Sequence, residues 1–269
     1  MTVRIADVHA HVFPDPLADK ATRSIGDFYE TPLGNRASLE NFRVLRREAG
    51  IGPALLCNSA VNAHQAPAIN TFLAEMCRED PEILALGALY PAMDGWEEEL
   101  ERIVALGLRG IKIHSDFQKM DIDDPRAVPM YRACARLGLP VLFHMGDRRY
   151  DYSAPRRLKN LMRQVPELTA IAAHFGGYMA WEDSFLCPQP EGVYYDTSSS
   201  LMHLSDEMAK RLLDRFGPER FLFGTDFPMR TPKDEVQRFL SAELGLSPDE
   251  KQRILSGNFD KLFPMEATR

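Results

Sequence analysis

The first apolar run of the chain reads Val3-Arg4-Ile5-Ala6-Asp7-Val8-His9-Ala10-His11-Val12 and passes straight into Phe13-Pro14-Asp15. Its length and β-branched content suit a strand buried on both faces. The turn that follows decides between two architectures. An open doubly wound sheet normally leaves its first strand through a glycine-rich loop that cradles phosphates; this turn holds no glycine. Comparable runs recur at Gly52 to Val61, Ile83 to Pro91, Arg109 to His114, Pro140 to His144, Thr169 to His174, Val193 to Ser198 and Phe221 to Asp226. Stretches with apolar residues at helical spacing separate most of them: Leu39 to Ala49, Pro67 to Glu79, Trp96 to Leu106, Pro129 to Leu137, Pro155 to Val165 and Ser205 to Phe216. Gly107 and Gly138 stand where helix C-caps are expected. Lys233 to Leu244 and a capped segment at Ser247-Pro248-Asp249-Glu250 supply closing helices. Alternating strands and helices ask for a parallel sheet with right-handed crossovers. Eight such units in 269 residues predict an α/β protein, one (β/α)8 TIM barrel domain over residues 1–269. Phe13 to Asn41, after strand one, and Gly176 to Gly192, after strand six, read as long loops that elaborate the barrel at the end where such folds place their sites.

Composition narrows the function class. Hydrophobic residues make up 45% and charged residues 26%, the balance of a soluble globular protein. A formal net charge of −7 offers no basic patch for nucleic acid. No apolar run approaches the ~20 residues that span a bilayer, and Met1 to Ala6 lacks the basic and apolar segments of a secretory leader. Cys57, Cys77, Cys134 and Cys187 are scattered through apolar runs without CxxC spacing. They read as reduced thiols, and the protein is expected to be cytoplasmic, with a small-molecule substrate and neither nucleic acid nor membrane as a partner.

Five of the seven histidines, His9, His11, His114, His144 and His174, fall at or near the C-terminal ends of predicted strands. In a barrel those ends converge. Residues two apart on a strand point the same way, so Asp7, His9 and His11 share the interior side. Two imidazoles at that spacing suit one divalent ion, and His144 with Asp226 completes a His3Asp set compatible with zinc, iron or manganese. Each part alone has a plainer reading: a His-X-His pair is often a surface accident, and Asp226 in Gly224-Thr225-Asp226-Phe227-Pro228 can simply end a strand. His64 and His203 read as structural. The concurrence of the rest at one end of different strands carries the enzyme reading.

Several segments together resemble the amidohydrolase superfamily, in particular the amidohydrolase-related branch that includes aminocarboxymuconate-semialdehyde decarboxylase and related lactonases. They are Asp7-Val8-His9-Ala10-His11, Gly110-Ile111-Lys112-Ile113-His114, Val141-Leu142-Phe143-His144, Ala173-His174-Phe175-Gly176-Gly177, Tyr195-Asp196-Thr197-Ser198, Phe223-Gly224-Thr225-Asp226-Phe227-Pro228 and Gly257-Asn258. The resemblance spans nearly the whole chain. It implies His9, His11, His144 and Asp226 as ligands of one ion, most simply zinc with manganese or iron as alternatives. His174 then handles protons near the ion, Asp226 does so as well, and Asp7 supports the ligands. Lys112 stays open between a carboxylated bridge of a two-ion site, a cation for an anionic substrate group, and a partner for buried Asp7. His114 and Arg148 join Lys112 as substrate-binding candidates. Arg149, Gln118 and Tyr150 are weaker ones, and Asn258 is placed at the base of the barrel satisfying backbone. A homodimer is the assembly such proteins suggest. The favoured expectation is hydrolysis of an ester, lactone or amide bond by metal-activated water. Its rival is non-oxidative decarboxylation of an aromatic or unsaturated acid on the same fold.

Overall fold

The computed structural model describes residues 3–91 and 93–265. Met1, Thr2, Ala92 and residues 266–269 of the expected domain lie outside the described residues. The fold is a (β/α)8 barrel: eight strands stand in the sheet in chain order, and helices alternate with them. Those strands are β1 Ile5–Ala10, β2 Ile51–Cys57, β3 Ile83–Ala88, β4 Ile111–Ile113, β5 Val141–Phe143, β6 Ala170–Ala172, β7 Val193–Asp196 and β8 Phe221–Leu222. The helices are α1 Asp15–Phe28, α2 Leu39–Glu48, α3 Ala66–Glu79, α4 Trp96–Ala105, α5 Ser115–Gln118, α6 Val128–Arg136, α7 Pro155–Gln164, α8 Trp181–Leu186, α9 Asp206–Phe216, α10 Pro232–Ser241, α11 Pro248–Gln252 and α12 Asn258–Leu262. Among the described residues no helix is long and apolar enough to cross a membrane.

The strands stop short of the predicted runs, so His11, His114, His144, His174 and Asp226 sit on the first turns beyond them. The apolar runs continue because these turns are themselves buried, and burial alone does not distinguish a strand from a packed turn. The expected long loops also carry helices. Pro14 and Pro16 read as loop punctuation, yet a proline in the first turn of α1 costs no hydrogen bond. α8 occupies the connection after β6. The caps follow expectation: Gly107 and Gly138 take φ of +76° and +66° after α4 and α6, and Ser247 with Glu250 forms a capping box.

The chain divides into two compact units, one formed by residues up to Ala54 with those from Thr197 onward, the other by Leu55–Asp196. In the first unit every residue of β1 is buried. Backbone bonds from Val8 N to Phe223 O (2.9 Å), Asp226 N to His9 O (2.7 Å) and His11 N to Phe227 O (2.7 Å) lay the segment after β8 along β1. Phe42 packs on Phe227 and Phe223 on Phe239. Asn258 donates to Pro218 O (2.9 Å) and Phe221 O (2.6 Å), the backbone-satisfying role expected of it.

In the second unit β3 to β7 pair in parallel, with Lys112 of β4 between Ala88 and Leu142. Gly110 enters β4 at φ +155°, where a Cβ would meet Pro140 O at 2.4 Å; only glycine lets the two backbones come this close. Asn70 on α3 spans the end of β3, accepting from Ala88 N (2.6 Å) and donating to Ala88 O (3.0 Å) and Glu99 (2.6 Å).

Candidate metal centre

In the first unit three predicted ligands converge. Nε2 of His9 lies 3.6 Å and Nε2 of His11 3.2 Å from the same oxygen, Oδ1 of Asp226. The two rings stand edge to face, 5.0 Å apart at 80°. The second nitrogen of His9, Nδ1, faces Ser198 Oγ at 3.1 Å. Tetrahedral ligands at the usual metal–nitrogen and metal–oxygen distances are separated from one another by about 3.4 Å. The two separations from Asp226 Oδ1 match that spacing, and an imidazole–carboxylate donor set suits zinc, manganese or iron. Asp226 holds this position at φ +57°, a left-handed conformation unusual outside glycine. Its other oxygen, Oδ2, accepts from Ser199 Oγ at 2.7 Å.

Asp7 lies beneath the histidines, fully buried. Its carboxylate accepts from His9 N (2.9 Å), Thr225 N (3.0 Å) and Thr225 Oγ1 (2.5 Å), tying β1 to the β8 turn. Burial pushes its carboxyl up to about 7 against those bonds. It thus braces the backbone of His9 and of the β8 turn from behind the histidines.

The second unit brings His114, His144 and His174 together. Nδ1 of His144 and Nε2 of His174 are 3.1 Å apart. His174 is held by a backbone bond from its N–H to Asp196 (2.9 Å) and by Trp181 Nε1 donating to its carbonyl (3.0 Å). Both His174 and Phe175 take positive φ, 59° and 54°. Residues in such conformations cluster where function over-determines geometry. Gly146, at φ +88°, lets the β5 exit loop touch the β6 exit loop; a Cβ there would meet Tyr178 N at 2.4 Å.

His114, Asp116 and His144 also place one ligand atom each within 4.8 Å of one another. The rings of His114 and His144 are stacked, 3.9 Å apart and 6° from parallel. Imidazoles stacked this nearly parallel do not aim two in-plane lone pairs at one ion ~2.1 Å away, so the stack is a packing arrangement. Phe117 covers its other face at 3.7 Å. Asp116 accepts from Ser153 Oγ at 2.6 Å, and its Oδ2 lies 3.7 Å from His144 Nε2. Burial pushes its carboxyl up to about 7.

The substrate-binding candidates fare unevenly. Lys112 is fully buried on β4, and His114 is buried just beyond it. Arg148 is exposed. Arg149 forms a two-point contact with Asp147, Nε to Oδ1 at 2.9 Å and Nη2 to Oδ2 at 2.7 Å. Gln118 uses its side chain on backbone, accepting from His114 N and donating to Ala60 O and Leu89 O. Tyr150 is exposed against Arg149. Sequence reasoning did not single out Ser199 or Asp116. The run Ser198-Ser199-Ser200 directly after a strand was the available signal for the first.

The amidohydrolase family profile matches residues 6–265. The chain belongs to the amidohydrolase family. This amidohydrolase is 25% identical to the 2-amino-3-carboxymuconate-6-semialdehyde decarboxylase of Dictyostelium discoideum, over 71% of this chain and 64% of that protein. The chain thus spans a little under two thirds of that relative's length. Solved structures share its fold. A dihydroxybenzoic acid decarboxylase from Polaromonas sp. JS666, with bound manganese and the inhibitor 2-nitroresorcinol, superposes with a TM-score of 0.76 at 19% identity, covering 97% of each chain. A candidate 2-pyrone-4,6-dicarboxylic acid hydrolase from Pseudomonas putida gives 0.73 at 19% identity, covering 99% of this amidohydrolase and 100% of that chain. The amidohydrolase is an enzyme of a metal-dependent superfamily.

Proposed function

We propose that this amidohydrolase holds one divalent ion on His9, His11, His144 and Asp226 and catalyses the non-oxidative decarboxylation of a small aromatic or unsaturated carboxylic acid. The approach of two Nε2 atoms to one oxygen of Asp226 carries the metal reading. His144 is included because the resemblance of Val141-Leu142-Phe143-His144 implies it as a ligand. Decarboxylation is preferred to the hydrolysis favoured on sequence grounds because the sequence-matched relative is a decarboxylase. Hydrolysis keeps one supporting likeness, to the pyrone dicarboxylic acid hydrolase. The neighbour with manganese makes that ion as good a candidate as zinc.

The bound ion would supply positive charge for substrate oxygens. The chain's own groups do the rest. In decarboxylation the carbon–carboxylate bond breaks, carbon dioxide leaves and the electron pair stays on the substrate carbon, which then takes a proton. We assign its delivery to His174 and the Asp226 carboxyl. Lys112, His114 and Arg148 are the proposed contacts for anionic substrate groups; exposed Arg148 has freedom to reach a ligand, whereas buried Lys112 meets only a group that enters the protein.

The test is carbon dioxide release from a panel of hydroxybenzoic and unsaturated dicarboxylic acids, alongside elemental analysis. About one ion per chain and carbon dioxide release, lost by at least ~100-fold in a folded Asp226→Asn variant, are expected. Ester or lactone cleavage without any carbon dioxide would return the reading to hydrolysis.

A further inference from the structure

Ser198, Ser199 and Ser200 follow β7 as three consecutive buried serines. Ser200 Oγ donates to the Ser198 carbonyl at 2.8 Å and closes the turn locally. The other two reach across to side chains. Ser198 Oγ lies 3.1 Å from Nδ1 of His9, and Ser199 Oγ donates to Oδ2 of Asp226 at 2.7 Å. In both cases the atom held is the one turned away from the shared point: Nδ1 and not Nε2 of His9, Oδ2 and not Oδ1 of Asp226.

Ser199 makes its bond from a strained backbone. Its φ is +47°, in the left-handed region, which a non-glycine residue enters only at a cost. A buried serine that had only its own hydroxyl to satisfy would bond a nearby carbonyl, as Ser200 does. Ser199 instead faces a residue that is itself at φ +57°. Two adjoining strained residues joined by one short bond define a geometry, because neither is where its backbone would rest alone.

We infer that Ser199 is a positioning residue that holds Asp226 as a one-oxygen ligand. By occupying Oδ2 it leaves Oδ1 alone to face the ion and stops the carboxylate from turning to a two-oxygen grip. Ser198 acts in parallel on His9: an Nδ1–H bonded to a hydroxyl leaves Nε2 with its lone pair. The inference rests on the metal reading above and adds what sets the mode of ligation.

Two variants separate positioning from mere structure. Ser199→Gly removes the hydroxyl and relieves the backbone at once. Ser199→Asn keeps a donor on a residue that tolerates the left-handed region. Metal-free protein is titrated at pH 8 with Mn2+, and separately with Co2+, against a chromophoric chelator, and the visible spectrum of the Co2+ form is recorded. Ser199→Gly is expected to bind both ions about 10–100-fold more weakly. Its metal-free melting temperature should stay close to the parent's, and its Co2+ bands should shift in position and intensity. Ser199→Asn should recover most of the affinity. Parent-like affinity and an unchanged Co2+ spectrum in Ser199→Gly would overturn the inference while leaving the metal reading intact. A parent protein that takes up neither ion would overturn both.

Discussion

Glu235 illustrates how a single buried acid ties stability to pH. It sits on α10, almost wholly buried, and burial pushes its carboxyl up to about 8 from an ordinary 4.5. Arg230, whose Nε lies 3.4 Å away, opposes the shift, and the like charges of Asp226 and Asp7 add to it. Between pH 4.5 and about 8 the native state keeps a proton that the unfolded chain has released, so stability falls as pH rises through that window and levels off above it. Glu235→Gln removes the titration and should flatten the fall, which amounts to a few kcal/mol. Urea unfolding of metal-free protein at several pH values across the window measures it, and a variant that keeps the parent's slope would contradict the assignment. Residues of this kind were not legible in the sequence. A glutamate within the helical stretch Lys233 to Leu244 reads as solvated face until packing covers it. Ser199 reads as turn chemistry until a carboxylate is found opposite. The approach of His9, His11 and Asp226 was legible because they stand at the ends of strands one and eight, which adjoin in a closed barrel.

The elements were largely readable, and their failures share one cause. Period and apolar content placed all eight strands, but the runs overshot because a barrel also buries the turns beyond its strands. α1 and α8 were hidden by prolines, glycines and aromatics that read as irregular chain. What no pattern showed is how elements are fastened side to side. Asn70 is the plainest fastening, because its amide satisfies both backbone groups of Ala88 and also a carboxylate oxygen of Glu99 on α4. An asparagine on a helix ordinarily weakens it, so this one acts across elements. Asn70→Leu keeps the volume and leaves the Ala88 N–H and C=O buried without that partner. Unsatisfied buried polar groups cost roughly 1–3 kcal/mol each, so about 3 kcal/mol of stability should be lost. Equilibrium urea unfolding would show this as a lower midpoint with an unchanged slope. A loss below ~1 kcal/mol would mean the carbonyl and amide find other partners.

At the scale of the molecule, a net charge of −7 combines with buried carboxyls at Asp7, Asp116 and Glu235, each with its pKa pushed up by burial. An ion held as proposed on His9, His11 and Asp226 would stabilise the native state by mass action. An ion that binds only the native state adds about 2.7 kcal/mol at a free concentration 100 times its Kd. Unfolding entropy grows with chain length, so for a chain this long each kcal/mol moves the melting temperature by roughly 2 °C. Removing the ion with a chelator should therefore lower it by about 5 °C from that starting point, and each tenfold increase in free Mn2+ or Zn2+ should raise it by about 3 °C. Diffuse attraction of cations to an acidic surface would give a superficially similar rise. The two differ in what they respond to: surface charge is screened by any salt, whereas the proposed site takes a transition-metal ion that accepts imidazole nitrogen. Scans in Na+ or Mg2+ at matched ionic strength should leave the chelated protein where it was. A melting temperature that follows ionic strength and ignores the identity of the ion would mean that His9, His11 and Asp226 converge without holding a metal.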